Sequence, residues 1–131
     1  MINNLKNKEV HSMTIKMITF SRRRKDLTRE QWKEYRLVQH AKLEKEAESN
    51  PNGKVKRIVW NCVLEPHPDM PFDSMTELYF SSMEDFKAQM ALGRAKIMQE
   101  DEKNFCEPGF RVMVLAEEYL MAEKTPRETK I

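Results

Sequence analysis

The order in which strand-type and helix-type patterns follow each other is the strongest constraint on the fold of this chain. Runs of β-branched and aromatic residues predict four strands, and two capping signatures each open a longer segment with helical periodicity. The predicted strands are Thr14–Ser21, Lys54–Glu65, Asp73–Ser81 and Phe110–Met121, and the predicted helices run from Thr28 to about Ser49 and from Ser82 to about Phe105. The order β-α-β-β-α-β predicts an α+β, ferredoxin-like fold, in which both helices cover one face of an antiparallel sheet.

The length of 131 residues is that of one domain. We expect a flexible N-terminal arm over 1–13, a single domain over 14–121 and a C-terminal tail over 122–131. No apolar run reaches the roughly 18 residues of a membrane span, and the first 13 residues have no apolar signal-peptide core. Cys62 and Cys106 lack C-x-x-C spacing. These features favour a cytoplasmic protein with reduced thiols and no membrane partner.

Charge and motifs exclude several classes of protein. The 23 basic and 21 acidic residues leave a net charge of only +2, which argues against binding nucleic acid by bulk electrostatics. The third predicted strand lacks the glycine and aromatic platform of an RNA-recognition domain. Phosphate-binding and nucleophile-elbow motifs are absent, and His11, His40 and His67 are scattered. We therefore expect neither a metal site nor a bound cofactor.

The strands carry apolar residues on both faces. Ile58 and Trp60 share one face of the second strand and Val59 the other, and the last strand has apolar residues in both registers over 112–115. A sheet with one face in water would alternate apolar and polar residues. Because the helices cover only one face, we expect a homodimer joined through the sheets. The alternative is a monomer with exposed valines.

The helical stripes place polar groups beside a predicted core. At about 100° per residue, Trp32, Arg36 and His40 fall in one sector of the first helix, with Tyr35 on its flank. The inward sector of the second helix includes Met90, Arg94, Ile97 and Asp101. His40 is either a satisfied, half-buried histidine or an acid/base group. Asp101 needs a partner when buried, and Arg94 or another local base is the simplest one.

Four stretches of the chain resemble the EthD-domain family of dimeric α/β barrels. They are a strand that ends in Phe20 and leads through RRRKDLT to a helix, the helix motif Trp32…Tyr35…His40, the segment Met70–Phe86, and the acidic pair Asp101-Glu102 followed by Phe105. The likeness extends from about Ile15 to Glu118. It implies small homodimers without cofactors and a pocket between sheet and helices in each subunit.

The resemblance also implies a range of functions. Several relatives act in fungal aromatic-polyketide pathways as decarboxylases, dehydratases or cyclases, and others are accessory proteins of bacterial degradation pathways. We therefore expect a cofactor-independent lyase or cyclase acting on a planar aromatic polyketide intermediate. His40 would be the acid/base, Asp101 would orient it, and Tyr35 would donate to a carbonyl oxygen. The expected substrate-binding residues are Trp32, Arg36, Trp60, Phe80, Met90, Arg94, Ile97 and Phe105. A non-catalytic binding or accessory dimer, and a purely structural dimer, remain as alternatives.

Overall fold

Two stretches of the chain, residues 14–64 and 69–124, are described by the computed structural model. The predicted N-terminal arm, residues 65–68 of the predicted strand end and proline loop, which include His67, and residues 125–131 of the predicted tail lie outside them. The elements are β1 Thr14–Ser21, α1 Arg29–Glu34, a π-helical segment Tyr35–His40, α2 Ala41–Glu48, β2 Arg57–Cys62, β3 Ser74–Phe80, α3 Met83–Ala91, α4 Arg94–Glu102 and β4 Val112–Glu118.

The four strands form one antiparallel sheet in the order β2-β3-β1-β4. At its centre Met17 pairs with Leu78 on one side and with Leu115 on the other. This arrangement confirms the predicted α+β, ferredoxin-like fold.

The first helical rod begins at the predicted capping box. The Thr28 hydroxyl accepts from the backbone N–H of Gln31 at 3.1 Å, and the Gln31 side chain accepts from the backbone N–H of Thr28 at 2.8 Å. The rod then runs without interruption through α1, the π-helical segment and α2. The π-helical segment was not predicted, because a pattern with a constant helical period contains no signal for a wider turn. Such wide turns are rare and recur at functional sites.

The second predicted helix is two helices in the structure. Ser82 caps α3, as predicted, by accepting from the backbone N–H of Asp85 at 3.1 Å. Gly93 then adopts a left-handed conformation, with φ at +75°, and separates α3 from α4. The break ends the regular period of α3: Arg94 lines the cavity and Asp101 contacts His40, as the predicted stripe requires, but Ile97 does not face inward. The expectation that Ile97 points inward is therefore wrong, and its side chain is 45% exposed.

Three strands are shorter than predicted, although β3 loses only one residue at each end. The second was expected to run from Lys54 to Glu65, but β2 spans Arg57–Cys62, and the last ends at Glu118 rather than Met121. Local propensity identifies residues that suit a strand, whereas the bounds of a strand depend on which backbone groups find partners.

The two faces of the sheet differ in what covers them. Ile15, Met17 and Phe80 form a buried cluster with Phe86 and Met90 of α3. A second cluster joins Trp32, Phe105 and Cys106 to Trp60 of β2. The opposite face, called here the back face, carries Ile18 and Phe20 of β1 and the exposed Val112 and Val114 of β4. The chain thus has apolar residues on both faces of the sheet, as the sequence pattern indicated.

Candidate functional site

A histidine–aspartate pair links the first helical rod to α4. His40 ends the π-helical segment and is only 4% exposed, and its Nδ1 lies 2.8 Å from Oδ2 of Asp101 in α4. An ionised carboxylate only accepts hydrogen bonds, so the proton of a neutral His40 ring belongs on Nδ1. Nε2 is then left as the acceptor on a side chain that lines a cavity.

Asp101 is held in place by three donors. The Tyr35 hydroxyl donates to Oδ1 at 2.7 Å, and the Asn104 side chain donates to the same oxygen at 3.2 Å. Burial opposes ionisation of this carboxyl, but the hydrogen bonds from Tyr35, His40 and Asn104 outweigh burial and hold the pKa of Asp101 below its usual range. For Tyr35, burial and then the contact with Asp101 raise the pKa. The Asp101 carboxylate is therefore an ionised anchor for the imidazole ring.

Aromatic rings fix the other sides of this pair. The Phe105 ring centroid lies 5.0 Å from that of His40 and 5.3 Å from that of Tyr35, against which it stacks. Trp32 is fully buried and meets Trp60 edge-on at 5.3 Å. The packing leaves the imidazole little freedom to rotate, which is what a positioned proton carrier needs.

A cavity lies between the front of the sheet and the helices. Its empty volume is about 840 Å³, part of which is open to solvent. Its apolar lining includes Met17, Trp60, Leu78, Met90, Met98 and Phe105.

The polar part of the lining is unusually rich in arginine. Besides five uncharged polar residues, it contains His40 and the charged Arg36, Glu44, Arg94, Glu102 and Arg111. Arg36 donates to both oxygens of Glu44, at 2.8 Å and 2.7 Å, which neutralises that pair. Arg111 approaches Glu102 at 3.4 Å. These pairs give the cavity fixed charges inside an otherwise apolar space.

Burial perturbs two further groups of the lining. It raises the pKa of the Glu102 carboxyl, with partial compensation from the charge of Arg111. It also raises the pKa of the Cys106 thiol to about 12. Cys106 is therefore a neutral, structural thiol at neutral pH.

The structure brings together most of the residues proposed from the sequence. Among those expected to bind substrate, the ones that line the cavity are Arg36, Trp60, Met90, Arg94 and Phe105. Trp32 and Phe80, contrary to expectation, do not line the cavity, because they belong to the core behind its wall. Trp32 packs beneath Trp60, and Phe80 packs edge-on against Phe86 with ring centroids 5.4 Å apart. Ile97 is the exposed residue corrected above.

The two other residues expected to be catalytic, Asp101 and Tyr35, do not line the cavity. Asp101 does bond to His40, and the simpler expectation of a bond to Arg94 is not met in the structure. Tyr35 was expected to donate to a ligand carbonyl, but its hydroxyl proton is directed to Asp101 instead.

Sequence reasoning missed three charged residues of the cavity, Glu44, Glu102 and Arg111. Glu44 lies one turn after His40 in the same rod, so an extension of the Arg36–His40 stripe would have included it. Arg111 precedes β4, and no helical or strand periodicity in the sequence connects it to Glu102.

Within residues 14–64 and 69–124, no three His, Cys, Asp or Glu side chains are grouped so that they could hold a metal ion. In the same part of the chain, no helix is long and apolar enough to cross a membrane.

The fold and the cavity together define a class of protein: a ferredoxin-like α+β domain with a site enclosed between sheet and helices. The family model for the EthD domain matches residues 24–109. The chain therefore belongs to the EthD family. No curated protein matches it.

Solved structures share the fold at low sequence identity. An EthD-family protein from Bacillus halodurans has a TM-score of 0.61 and 19% identity, over 81% of this chain and 99% of that one. A hydroxynitrile lyase from Passiflora edulis has a TM-score of 0.59 and 18% identity, over 88% and 99%. A dimeric ferredoxin-like protein of unknown function from Thermobifida fusca has a TM-score of 0.55 and 14% identity, over 80% and 91%.

Proposed function

We propose that this protein is a cofactor-independent lyase or cyclase that acts on an aromatic polyketide intermediate by general acid/base catalysis. The observation that carries the proposal is the His40–Asp101 pair at the wall of the cavity, in which Asp101 holds Nδ1 of a histidine that lines the cavity. The Passiflora edulis structure, which has the same fold, is that of a lyase.

His40 would move the proton in each reaction of this type. In dehydration or aldol cyclisation, Nε2 removes the proton from the carbon beside a carbonyl, and the electron pair of that C–H bond becomes an enolate. In dehydration the hydroxyl group takes this proton back from His40 and leaves as water. In cyclisation the enolate carbon attacks another carbonyl, whose oxygen takes the proton from His40. In decarboxylation, Nε2 takes the proton of the carboxyl group, the bond from that group to the neighbouring carbon breaks, and CO₂ leaves. The electron pair of the broken bond becomes an enolate, and His40 returns the proton to its carbon.

Asp101 and Tyr35 would be positioning residues. Asp101 fixes the ring of His40 through Nδ1 and stabilises the imidazolium that forms during proton transfer. Tyr35 and Asn104 hold Asp101 in turn. A positioned acid or base contributes typically ~10²–10⁴-fold to a rate, which suits substrates whose carbanions are delocalised as enolates.

The lining supports a flat, largely apolar substrate. Trp60 and Phe105 present aromatic surfaces to the cavity, and Met17, Met90 and Met98 provide adaptable walls. Aromatic polyketides combine planar rings with the activated carbonyl groups that this mechanism requires.

We also propose that the protein is a homodimer joined through its back face. Val112 and Val114 are 47% and 42% exposed there, and Ile18 and Phe20 continue the same surface along β1. The Thermobifida fusca protein with this fold is dimeric. A second copy would remove the exposed apolar residues from water.

The first test is metabolic. Extracts of a strain that lacks the gene are incubated with the wild-type protein or with the His40→Gln variant, and mass spectrometry follows the aromatic compounds. We expect the wild type to consume an accumulated intermediate and His40→Gln to leave it. Equal consumption by both proteins would refute the role of His40.

The second test needs no natural substrate. Proton exchange beside the carbonyl of tetralone in heavy water, followed by NMR, measures a general base in an apolar cavity. We expect wild-type catalysis, and a loss of roughly 10²-fold or more in His40→Gln. If tetralone binds equally to both proteins and neither catalyses exchange, the non-catalytic binding function is the correct one.

A further inference from the structure

Arg94 is the cavity arginine whose charge is not balanced. Its Nη2 donates to the backbone carbonyl of Leu43 at 3.3 Å, while its Nε is buried and has no hydrogen-bond partner. Within the described part of the chain no carboxylate forms an ion pair with it, in contrast to Arg36 and Arg111. A buried donor on a charged group is costly when it has no acceptor.

The two carboxylates of the cavity lining do not supply an acceptor for Nε of Arg94. Both carboxylate oxygens of Glu44 already accept hydrogen bonds from Arg36. The carboxyl of Glu102 faces Arg111, with Nε of Arg111 3.4 Å from Oε1 of Glu102. Because Arg36 and Arg111 each face one of these two carboxylates, the charge of Arg94 makes the lining positive.

We propose that Arg94 forms a carboxylate-binding subsite, so that the ligand of this cavity is an aromatic carboxylic acid bound as its anion. The inference rests on the proposed function, because it names the substrate class of the same cavity. A guanidinium presents Nε–H and an Nη–H side by side, and this fork matches the two oxygens of a carboxylate. The ring of the ligand would then lie among Trp60, Met90 and Phe105, which share the cavity with Arg94.

The surface beside the cavity is also suited to an anion. An adjoining depression shares Glu44 and Gln89 with the cavity and is lined by Lys45, Lys56 and Arg57. These three cations outnumber the two carboxylates of the depression, Glu48 and Glu44, and Glu44 is already paired with Arg36. A positive approach raises the local concentration of anionic ligands near the cavity.

The test compares two probes that differ only in charge, naphthoate and naphthamide with the same ring attachment. Isothermal titration measures the affinity of each probe for the full chain. We expect the wild type to prefer naphthoate by roughly 10- to 100-fold, because a hydrogen bond between charged groups is strong in a buried site. In Arg94→Met the preference should disappear while the affinity for naphthamide stays within about 2-fold, as the Met side chain conserves the apolar stem.

Lys96→Met is the matched control. Lys96 lies in the same helix, is exposed, and is absent from the cavity lining. This variant changes the net charge by the same amount as Arg94→Met, and it should keep the preference for naphthoate. Equal affinity of the wild type for both probes, no binding of either at millimolar concentration, or an unchanged preference in Arg94→Met would overturn the subsite.

Two measurements keep the test decisive. If Arg94→Met does not fold, the Nε–H resonance of Arg94 in the nitrogen-labelled wild type is followed by NMR, and it must shift with naphthoate and not with naphthamide. Titration of His40→Gln with both probes, together with its rate of tetralone exchange, separates this proposal from the proposed function. If that variant keeps both its turnover and its preference for naphthoate, the catalytic proposal fails and the subsite stands.

Discussion

Oδ2 of Asp101 lies 2.8 Å from Nδ1 of His40, and Oδ1 of the same carboxylate accepts from the Tyr35 hydroxyl at 2.7 Å. The carboxylate of Asp101 in α4 thus binds the first and the last residue of the π-helical segment. Because three donors keep it ionised, it can hold the imidazole in one tautomer throughout a proton transfer.

The first prediction concerns this connection. Asp101→Asn conserves the shape of the side chain but removes its charge, so tetralone exchange should slow by roughly 10²-fold or more. Tyr35→Phe removes a support of Asp101 and leaves the His40 contact, so its loss should be smaller. Glu100→Gln, an exposed change in the same helix, is the control. If Asp101→Asn exchanged protons at the wild-type rate, Asp101 would have no role in positioning His40.

The second prediction concerns the location of the ligand. Met90 lines the cavity from α3, so Met90→Trp should fill it and weaken naphthamide binding by at least about 10-fold, as overpacking costs typically 1–3 kcal/mol. Met83→Trp in the same helix is the control, because Met83 is 39% exposed and is not part of the lining. Titration calorimetry measures both. Equal weakening by the two variants would place the ligand elsewhere.

The third prediction concerns the pH dependence of stability. The folded pKa of Glu102 is raised above 4.5, so between 4.5 and its folded value the folded protein keeps a proton that the unfolded chain has lost. This contribution to the free energy of unfolding is complete below 4.5 and is lost as the pH rises through the folded pKa. Glu102→Gln should abolish the loss and be more stable, relative to wild type, at neutral pH than in acid.

Urea unfolding at a series of pH values measures this effect. Glu100 occupies an exposed position in the same helix, so Glu100→Gln should retain the wild-type dependence. A parallel pH dependence in wild type and Glu102→Gln would contradict the burial of Glu102 as its cause.

The fourth prediction concerns the ion pair on the back face. Nζ of Lys16 lies 2.7 Å from Oε1 of Glu77, and Glu77 is only 8% exposed. Lys16→Met leaves that carboxylate without its cation and should cost about 3 kcal/mol or more of the free energy of unfolding. Adding Glu77→Gln should restore most of it. A double variant no more stable than Lys16→Met would show that the pair is not coupled.

The same pair predicts a response to alkali. The hydrogen bond to Glu77 raises the pKa of Lys16 to about 12, against the effect of burial. Its stabilisation is therefore complete below 10.5 and is lost as the pH rises through about 12.

The fifth prediction concerns the homodimer. Val114 and Val38 are similarly exposed, at 42% and 46%, but Val114 lies on the back face and Val38 on the first helical rod. Light scattering should give twice the chain mass of 15.6 kDa for the wild type and for Val38→Glu. Val114→Glu should give the mass of the single chain, because it places a charge in the apolar contact. Dissociation of both variants, or of neither, would argue against this interface.

The sequence alone determined the class of the fold and the position of its main elements. Strand propensity, two capping signatures and the order of the segments are local properties, and β1, both caps and the strand order of a ferredoxin-like sheet agree with them. His40 also followed from local spacing, because residues that are one turn apart in a helix share a face.

Only the tertiary structure decided how that face is used. The π-helical segment and the break at Gly93 interrupt the constant period, which placed Ile97 in the core although it is exposed, and which could not decide whether Asp101 pairs with His40 or with Arg94. The contact of Arg111 with Glu102 and the unbalanced charge of Arg94 depend on how separate elements pack. Periodicity describes one element at a time, whereas burial and hydrogen bonding arise between elements, and these determine the chemistry of the cavity.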